Sequence, residues 1–262
     1  MNPILADFFE DLSRVTKLLT LLENLSKAPA PSSDPQNTIN DEINPEVAAI
    51  LLTCHDAKVA FPILCGAMLL YLSGRFEYFA RELFEDMCSE FSKNCKYYEK
   101  LPKELRENLV KFTALVIPDS RKYGHGDGAI KTFVHNLADN LGGKEISEIN
   151  VQCLSVTNTN MRSDVLSDLF GRAGIKNLWE TLGQQTALKA FFHEFAPQLV
   201  SKKAKDRLDE LMQLRNKVAH PSGSFVWPAI EDIRQHVEFL KVLSSTLSEH
   251  CSLFATNVAP PV

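Results

Sequence analysis

Apolar residues recur at intervals of three and four along most of the chain, the period of helices that bury one face. Leu5, Phe8, Leu12, Val15, Leu18, Leu19, Leu22 and Leu25 predict an amphipathic helix over 3–27. The stretch 28–44 (APAPSSDPQNTINDEIN) is rich in Pro, Ser and Asn and reads as a linker. Helical patterning resumes over 45–60 and 62–94, divided at Pro62, whose ring breaks or kinks a helix. The second segment carries Leu69, Leu72, Phe76, Phe79, Ala80, Leu83, Phe84 and Met87. So wide an apolar face suits the central helix of a bundle.

The middle of the chain is less regular. Helices are predicted over 103–116 and 129–141, with a glycine-punctuated mobile loop, Ser120 to Gly128 (SRKYGHGDG), between them. A β-like run from Ile149 to Val156 is either extended or simply connecting. Met161 or Ser163 then opens a helix, separated by Gly171 and Gly174 from a short one at 175–182. Three helical segments close the chain, at 185–197, 201–220 and 228–250. Pro221 pushes His220 out of the α region, so His220 sits at the final turn of its helix, and Pro228 suits the first turn of the next. The expected fold class is all-α. Its parts are a detachable N-terminal helix (1–27), the linker (28–44), a helical domain (45–254) and a tail (255–262).

Composition narrows the function classes. Apolar residues make up 45% of the 262-residue chain and charged residues 23%, as in ordinary globular proteins. The formal net charge of −5 argues against a protein that grips nucleic acid over a long surface, so any RNA contact must be local. The six cysteines include no C-x-x-C pair, and several fall in apolar helical runs, the pattern of a reducing compartment rather than a zinc site. Acidic residues stand where a secretory signal carries a basic region, and the longest apolar run, Val59 to Leu72, is short for a membrane span. A cytoplasmic location, no membrane contact and no cofactor or metal are therefore expected.

The candidate chemistry lies at Arg215 and His220, five positions apart at a helix end. They stand on adjacent helix faces, about 7.5 Å apart along the axis, a gap the long Arg side chain can span. Arginine forks onto phosphate oxygens, and histidine exchanges protons near neutral pH. Together, without a metal, they can assist the attack of a ribose 2′-hydroxyl on the adjacent phosphate, leaving a 2′,3′-cyclic phosphate. The plain alternative is a surface arginine beside a helix-terminal histidine that the helix dipole favours.

The string Leu211-Met-Gln-Leu-Arg-Asn-Lys-Val-Ala-His220, with its Asn216 and the following Pro221-Ser-Gly-Ser224 turn, resembles the L-x-x-x-R-N-x-x-A-H signature of HEPN domains. Leu70 to Phe84, with Glu77 within it, resembles the long HEPN helix that carries an acidic residue. Asn160 to Phe170, followed by Gly174-Ile175, resembles an element of the RiboL-PSP-HEPN branch. The resemblance covers about 46–250 and leaves 1–44 outside. It implies an HEPN-type helical bundle with an extra N-terminal helix, and a homodimer whose Arg-x₄₋₆-His helices meet across a two-fold axis in one cleft. It further implies an endoribonuclease acting on RNA such as tRNA, as a toxin or anti-phage defence effector, with an antitoxin or defence-complex protein as a candidate partner. Arg215 and His220 would be catalytic, Asn216 would support them, and Glu77 would orient the basic pair. Ser222 stands where members controlled by antitoxin AMPylation carry Tyr, so that mode of control is not expected.

The 201–220 helix is the most basic in the chain. Lys203, Arg207 and Lys217 either form a solvated face or supply a local phosphate track beside Arg215. His55 and His193 lack the spaced partners of a metal site, and His193 is expected to be partly buried. Trp179 and Trp227 are expected to be core or interface anchors rather than base-stacking platforms. Two other functional readings remain: a non-catalytic HEPN module that binds RNA or protein, and a helical scaffold docking through helix 3–27.

Overall fold

Pro3 opens the first helix, α1 (Pro3–Lys27), and Leu5, Phe8, Leu12, Val15, Leu19 and Leu22 along one stripe are buried. The computed structural model describes residues 2–27, 45–223 and 225–258. The linker at 28–44 and the end of the tail lie outside the described residues. Of the predicted α1 stripe, Leu25 packs on the core from its edge and Leu18 is exposed. Phe8 stacks on Phe79 with ring centroids 4.9 Å apart. Asp11, 2% exposed, receives hydrogen bonds from Tyr71 (2.6 Å) and Arg75 of the central helix and from Arg14 (2.9 Å). Burial alone would raise the Asp11 carboxyl, but these donors, with the charges of Arg75 and Arg14, hold it below its usual value. The helix expected to be detachable is thus part of the core.

The next helix, α2 (Pro45–Ala57), leads through a 3-10 turn, Lys58–Ala60, into α3 (Phe61–Asn94). Pro62 falls in the first turn of α3, where a missing N–H costs nothing, so it starts a helix rather than kinking one. Leu69, Leu72, Phe76, Phe79, Phe84 and Phe91 of α3 are all essentially inaccessible. The last two helices, α10 (Pro197–Ala219) and α11 (Ile230–Val258), pack against α3, and α1 packs against both α3 and α11. The helix running through α3 is long and apolar enough by composition to cross a membrane, contrary to the expectation from Val59–Leu72 alone. Part of that apolarity is buried against α1, α10 and α11, and part, at Val59, Ile63 and Leu64, is exposed.

A lateral group packs onto α3 through α6. It comprises α4 (Lys103–Val116), a 3-10 segment Ile117–Tyr123, α5 (Asp127–Leu141) and α6 (Val151–Leu154). Two expectations are corrected here. The β-like run becomes a single helical turn, because Asn150 fixes its entry by donating to the Phe133 carbonyl (2.8 Å) and Thr113 Oγ1 (3.3 Å). The SRKYGHGDG stretch is not a loose loop: it starts in the 3-10 segment, which ends at left-handed Gly124, packs His125 edge-on against Phe133 at 5.1 Å, and runs into the first turn of α5.

Short helices α7 (Ser163–Gly171), α8 (Leu178–Gly183) and α9 (Thr186–Phe192) cover α10 and α11. Trp179, 2% exposed, donates its indole N–H to the Ser163 carbonyl at 2.9 Å, the anchoring role expected of it. His193 instead caps α9 with φ +48° and is exposed, because a left-handed residue ends the helix and turns the ring outward. Pro228 stands two residues before α11 rather than in its first turn. The free Ala229 N–H there is taken by the Asp232 carboxylate at 2.8 Å, half of a capping box. Among the described residues no strand forms, and the fold is an all-α bundle with α3 at its centre.

Candidate functional site

The C-terminal end of α10 carries the Arg-Asn-Lys-Val-Ala-His sequence. Its position is fixed by Val218, buried where α3 offers Gly66. A Cβ at Gly66 would lie 2.6 Å from Trp227 Cζ3 and 3.0 Å from Val218 Cγ1, so a side chain there would displace both. Trp227 in turn meets Phe225 edge-on at 5.3 Å. The turn after the motif is therefore anchored by an aromatic pair against the central helix, as the interface-or-core reading of Trp227 expected.

His220 terminates α10. Its N–H still bonds to the Asn216 carbonyl at 3.0 Å, but its φ of −133° and ψ of 68° are no longer helical, as a residue before proline requires. The imidazole is exposed. Arg215, half-buried, donates from Nη1 to Asn216 Oδ1 at 3.2 Å. The same oxygen accepts a hydrogen bond from Asn160 Nδ2 at 2.5 Å. One amide oxygen thus ties Arg215 to the segment entering α7. Seven residues earlier on the same face of α10, Asp209 accepts the Ser163 N–H at 2.8 Å and the Ser163 hydroxyl at 2.7 Å. That carboxylate satisfies an orphan donor at the start of α7 and opposes the positive end of its dipole.

Glu77 accepts a hydrogen bond from Thr157 Oγ1 at 3.3 Å. Its bonded partner is the 154–160 loop rather than Arg215 or His220. That loop is pinned along its length. Arg172, buried beneath it and over the Phe112 ring at 4.1 Å, donates to the Leu154 and Val156 carbonyls. Ser155 donates to Glu85, whose carboxyl burial pushes up, and Asn160 reaches Asn216. Glu77 is thus linked to the motif through the loop, its bond falling three residues upstream of Asn160.

The basic residues of α10 do not form one free track. Lys203 pairs with Glu194 at 3.3 Å, and Arg207 with Glu210 at 2.9 Å and with Gln235 Oε1 at 3.1 Å. Lys217 is exposed in the last turn of α10, and Ser222 is exposed in the turn beyond His220. His125 lies elsewhere, half-buried with an enclosed, unpartnered Nε2. Burial and then the Arg81 charge hold its pKa below the usual histidine value.

Asn160, Thr157, Asp209 and Gly66 were not singled out as site residues by the sequence. Three of them meet partners 46 to 80 positions away, Gly66 matters through the space it leaves, and nothing local marks such residues. The Asn160–Phe170 segment was picked out only as a resemblance, and its tie to Asn216 gives that resemblance a physical content.

No curated protein and no solved structure matches the chain. The sequence profile of the RiboL-PSP-HEPN family matches residues 11–253, and so reaches into α1, well before the boundary at 46 expected from the motifs. By this match, spanning all but the ends of the sequence, the chain belongs to the RiboL-PSP-HEPN family.

Proposed function

We propose that the protein is a metal-independent endoribonuclease with Arg215 and His220 at its reactive centre. The observation that carries this reading is the shared Asn216 oxygen, which steadies the Arg215 guanidinium one turn from the exposed imidazole of His220. Arg215 would hold the non-bridging oxygens of one phosphate and stabilise the charge that builds there. A histidine would remove the 2′-hydroxyl proton as the 2′-oxygen bonds to phosphorus. The bond from phosphorus to the 5′-oxygen breaks, that oxygen takes up a proton, and a 2′,3′-cyclic phosphate and a 5′-hydroxyl remain.

Base and acid are two roles, and one imidazole per chain supplies only one of them at a time. A two-fold dimer with both α10 ends in one cleft supplies both. Exposed apolar side chains beside the motif suit such an interface: Val226 is 82% exposed, and Ile63 and Leu64 on α3 flank the Gly66 position. Lys217 is the basic residue best placed to meet an adjacent phosphate, whereas Lys203 and Arg207 would first have to leave their carboxylates.

The test is cleavage of single-stranded and transfer RNA in EDTA, with end-group analysis. Cyclic phosphate ends from the wild type, absent in Arg215→Ala and His220→Ala, are expected. Cleavage that survives both substitutions overturns the proposal. As a toxin or defence effector the protein should also arrest growth on expression, and Arg215→Ala should relieve the arrest.

A further inference from the structure

The Asn160–Asn216 contact that seats Arg215 brings a second guanidinium beside it. Asn160 is bonded to Asn216, and Ser163 to Asp209, two residues of α10 seven positions apart. That spacing is about 10.5 Å along the helix axis, so the segment 160–163 lies against α10 with both ends fixed. Within it Met161 is fully buried and Arg162 is half-buried. Arg162 stands two residues from Asn160, as Arg215 stands next to Asn216, so the two arginines flank one contact.

The Arg162 guanidinium has no hydrogen-bond or ion-pair partner among the described residues. The carboxylates of α7, and of its contact with α10, are engaged elsewhere. Asp164 accepts the Val165 N–H at 2.8 Å, Asp168 pairs with Arg172 at 2.6 Å, and Asp209 takes both Ser163 donors. Arginines in other parts of the bundle are held: Arg75 by Asp11, Arg207 by Glu210 and Arg234 by Glu23. Arg81 stands one turn from Glu77 on one side and from Glu85 on the other, so its charge is balanced on α3 itself. Arg215 has only the neutral Asn216 amide. Arg162 and Arg215 are thus two guanidiniums at one place whose charge no bonded carboxylate answers. A partly desolvated guanidinium in that state favours an anion, and its fork of donors suits phosphate oxygens.

RNA offers such an anion at every nucleotide. We propose that Arg162 is a second phosphate-binding residue of the same site, taking a phosphate on the α7 side of the one that Arg215 holds. The bound strand then crosses the Asn160–Asn216 contact from α10 to α7, rather than following the paired Lys203 and Arg207 along α10. A phosphate contact adds affinity without choosing a base, and salt screens its share. The role rests on RNA as the ligand of Arg215, not on RNA cleavage.

The test uses full-length His220→Ala protein, in which binding is read without cleavage. A labelled single-stranded RNA oligonucleotide is titrated at several salt concentrations and followed by fluorescence anisotropy. Adding Arg162→Gln should lower the slope of log affinity against log salt by about 0.7, the share of one phosphate on a single strand. That slope amounts to roughly a fivefold loss of affinity at about 0.1 M salt relative to 1 M. The loss should be equal for oligonucleotides of unlike sequence. Arg162→Lys should restore most of the slope. Lys131→Gln on α5, the same charge change at an exposed site, should leave the slope unaltered. The Arg162 side chain makes no bond among the described residues, so these variants keep the fold. An unchanged slope in Arg162→Gln overturns the proposal. So does an equal loss in Lys131→Gln, which would mark a diffuse field only. RNA that binds through Arg162 but is never cut by the wild type overturns the nuclease reading alone, and absence of RNA binding overturns both.

Discussion

Asn160 and Asn216, 56 positions apart, meet side chain to side chain, the Asn160 amide donating to Asn216 Oδ1 at 2.5 Å. Arg215 donates to the same oxygen at 3.2 Å, so both acceptor positions of that carbonyl are used. The rotamer of Asn216, and with it the reach of Arg215, depends on a loop that four other contacts hold to α3 and α7.

The first prediction follows from that dependence. Asn160 touches no substrate in the proposed reaction, so it is a positioning residue. Asn160→Ala should lower kcat by roughly tenfold to a hundredfold, the usual effect of loosening a group that orients a catalytic one. KM should change little, and stability should fall by about 1 kcal/mol, the net worth of one hydrogen bond. The isosteric Asn160→Asp accepts but cannot donate, and should fail similarly. Full activity in the Asp variant would show that the amide only fills space.

A second prediction concerns the anchor beneath the motif. Gly66→Ala drives a methyl to within 2.6 Å of the Trp227 ring and 3.0 Å of Val218. Overpacking of this kind costs about 1–3 kcal/mol. Trp227→Leu alone should also destabilise, but the double variant should recover part of the loss, with a coupling of roughly 0.5–3 kcal/mol. Denaturant unfolding of the four proteins measures it. Strict additivity would mean that Gly66 is not reserved for the indole.

These two relationships mark the limit of what the sequence reveals. Helix boundaries at Pro3, Pro45 and Lys103 follow from proline placement and three-four periodicity, which are local properties. The reactive pair is legible because Arg215 and His220 share one helix and Pro221 sets its end. The role of α1 was not legible. Its apolar stripe shows only that one face is covered; what covers it is set by partners across the bundle, Phe79 for Phe8 and Tyr71 and Arg75 for Asp11, and a buried aspartate looks like any surface acid in a helical pattern. The same holds for Glu77, whose proximity to the motif is created by the 154–160 loop and not by any spacing along the chain. The β-like run was misread because Asn150 overrides a weak local preference through a hydrogen-bond network.

The last prediction concerns acid stability. His236 on α11 is 2% exposed, and its Nδ1 is enclosed without a partner. Burial first, and then the Arg207 charge, lower its pKa from 6.5 to about 4, against the opposing pull of Glu210 and Asp232. The unfolded chain therefore binds a proton below pH 6.5 that the folded protein refuses until about pH 4. Stability should fall as pH drops through that window, by up to about 3 kcal/mol from this group. Glu85, with its pKa raised by burial, acts in the opposite sense, so the difference between wild type and His236→Leu isolates the histidine. Near neutral pH the variant should match or exceed the wild type, because it removes an unsatisfied polar atom. On acidification toward pH 4 the wild type should lose ground to it steadily, as measured by urea unfolding at several pH values. Parallel curves for the two proteins would mean that His236 carries its proton in the folded state and that the enclosed nitrogen is satisfied.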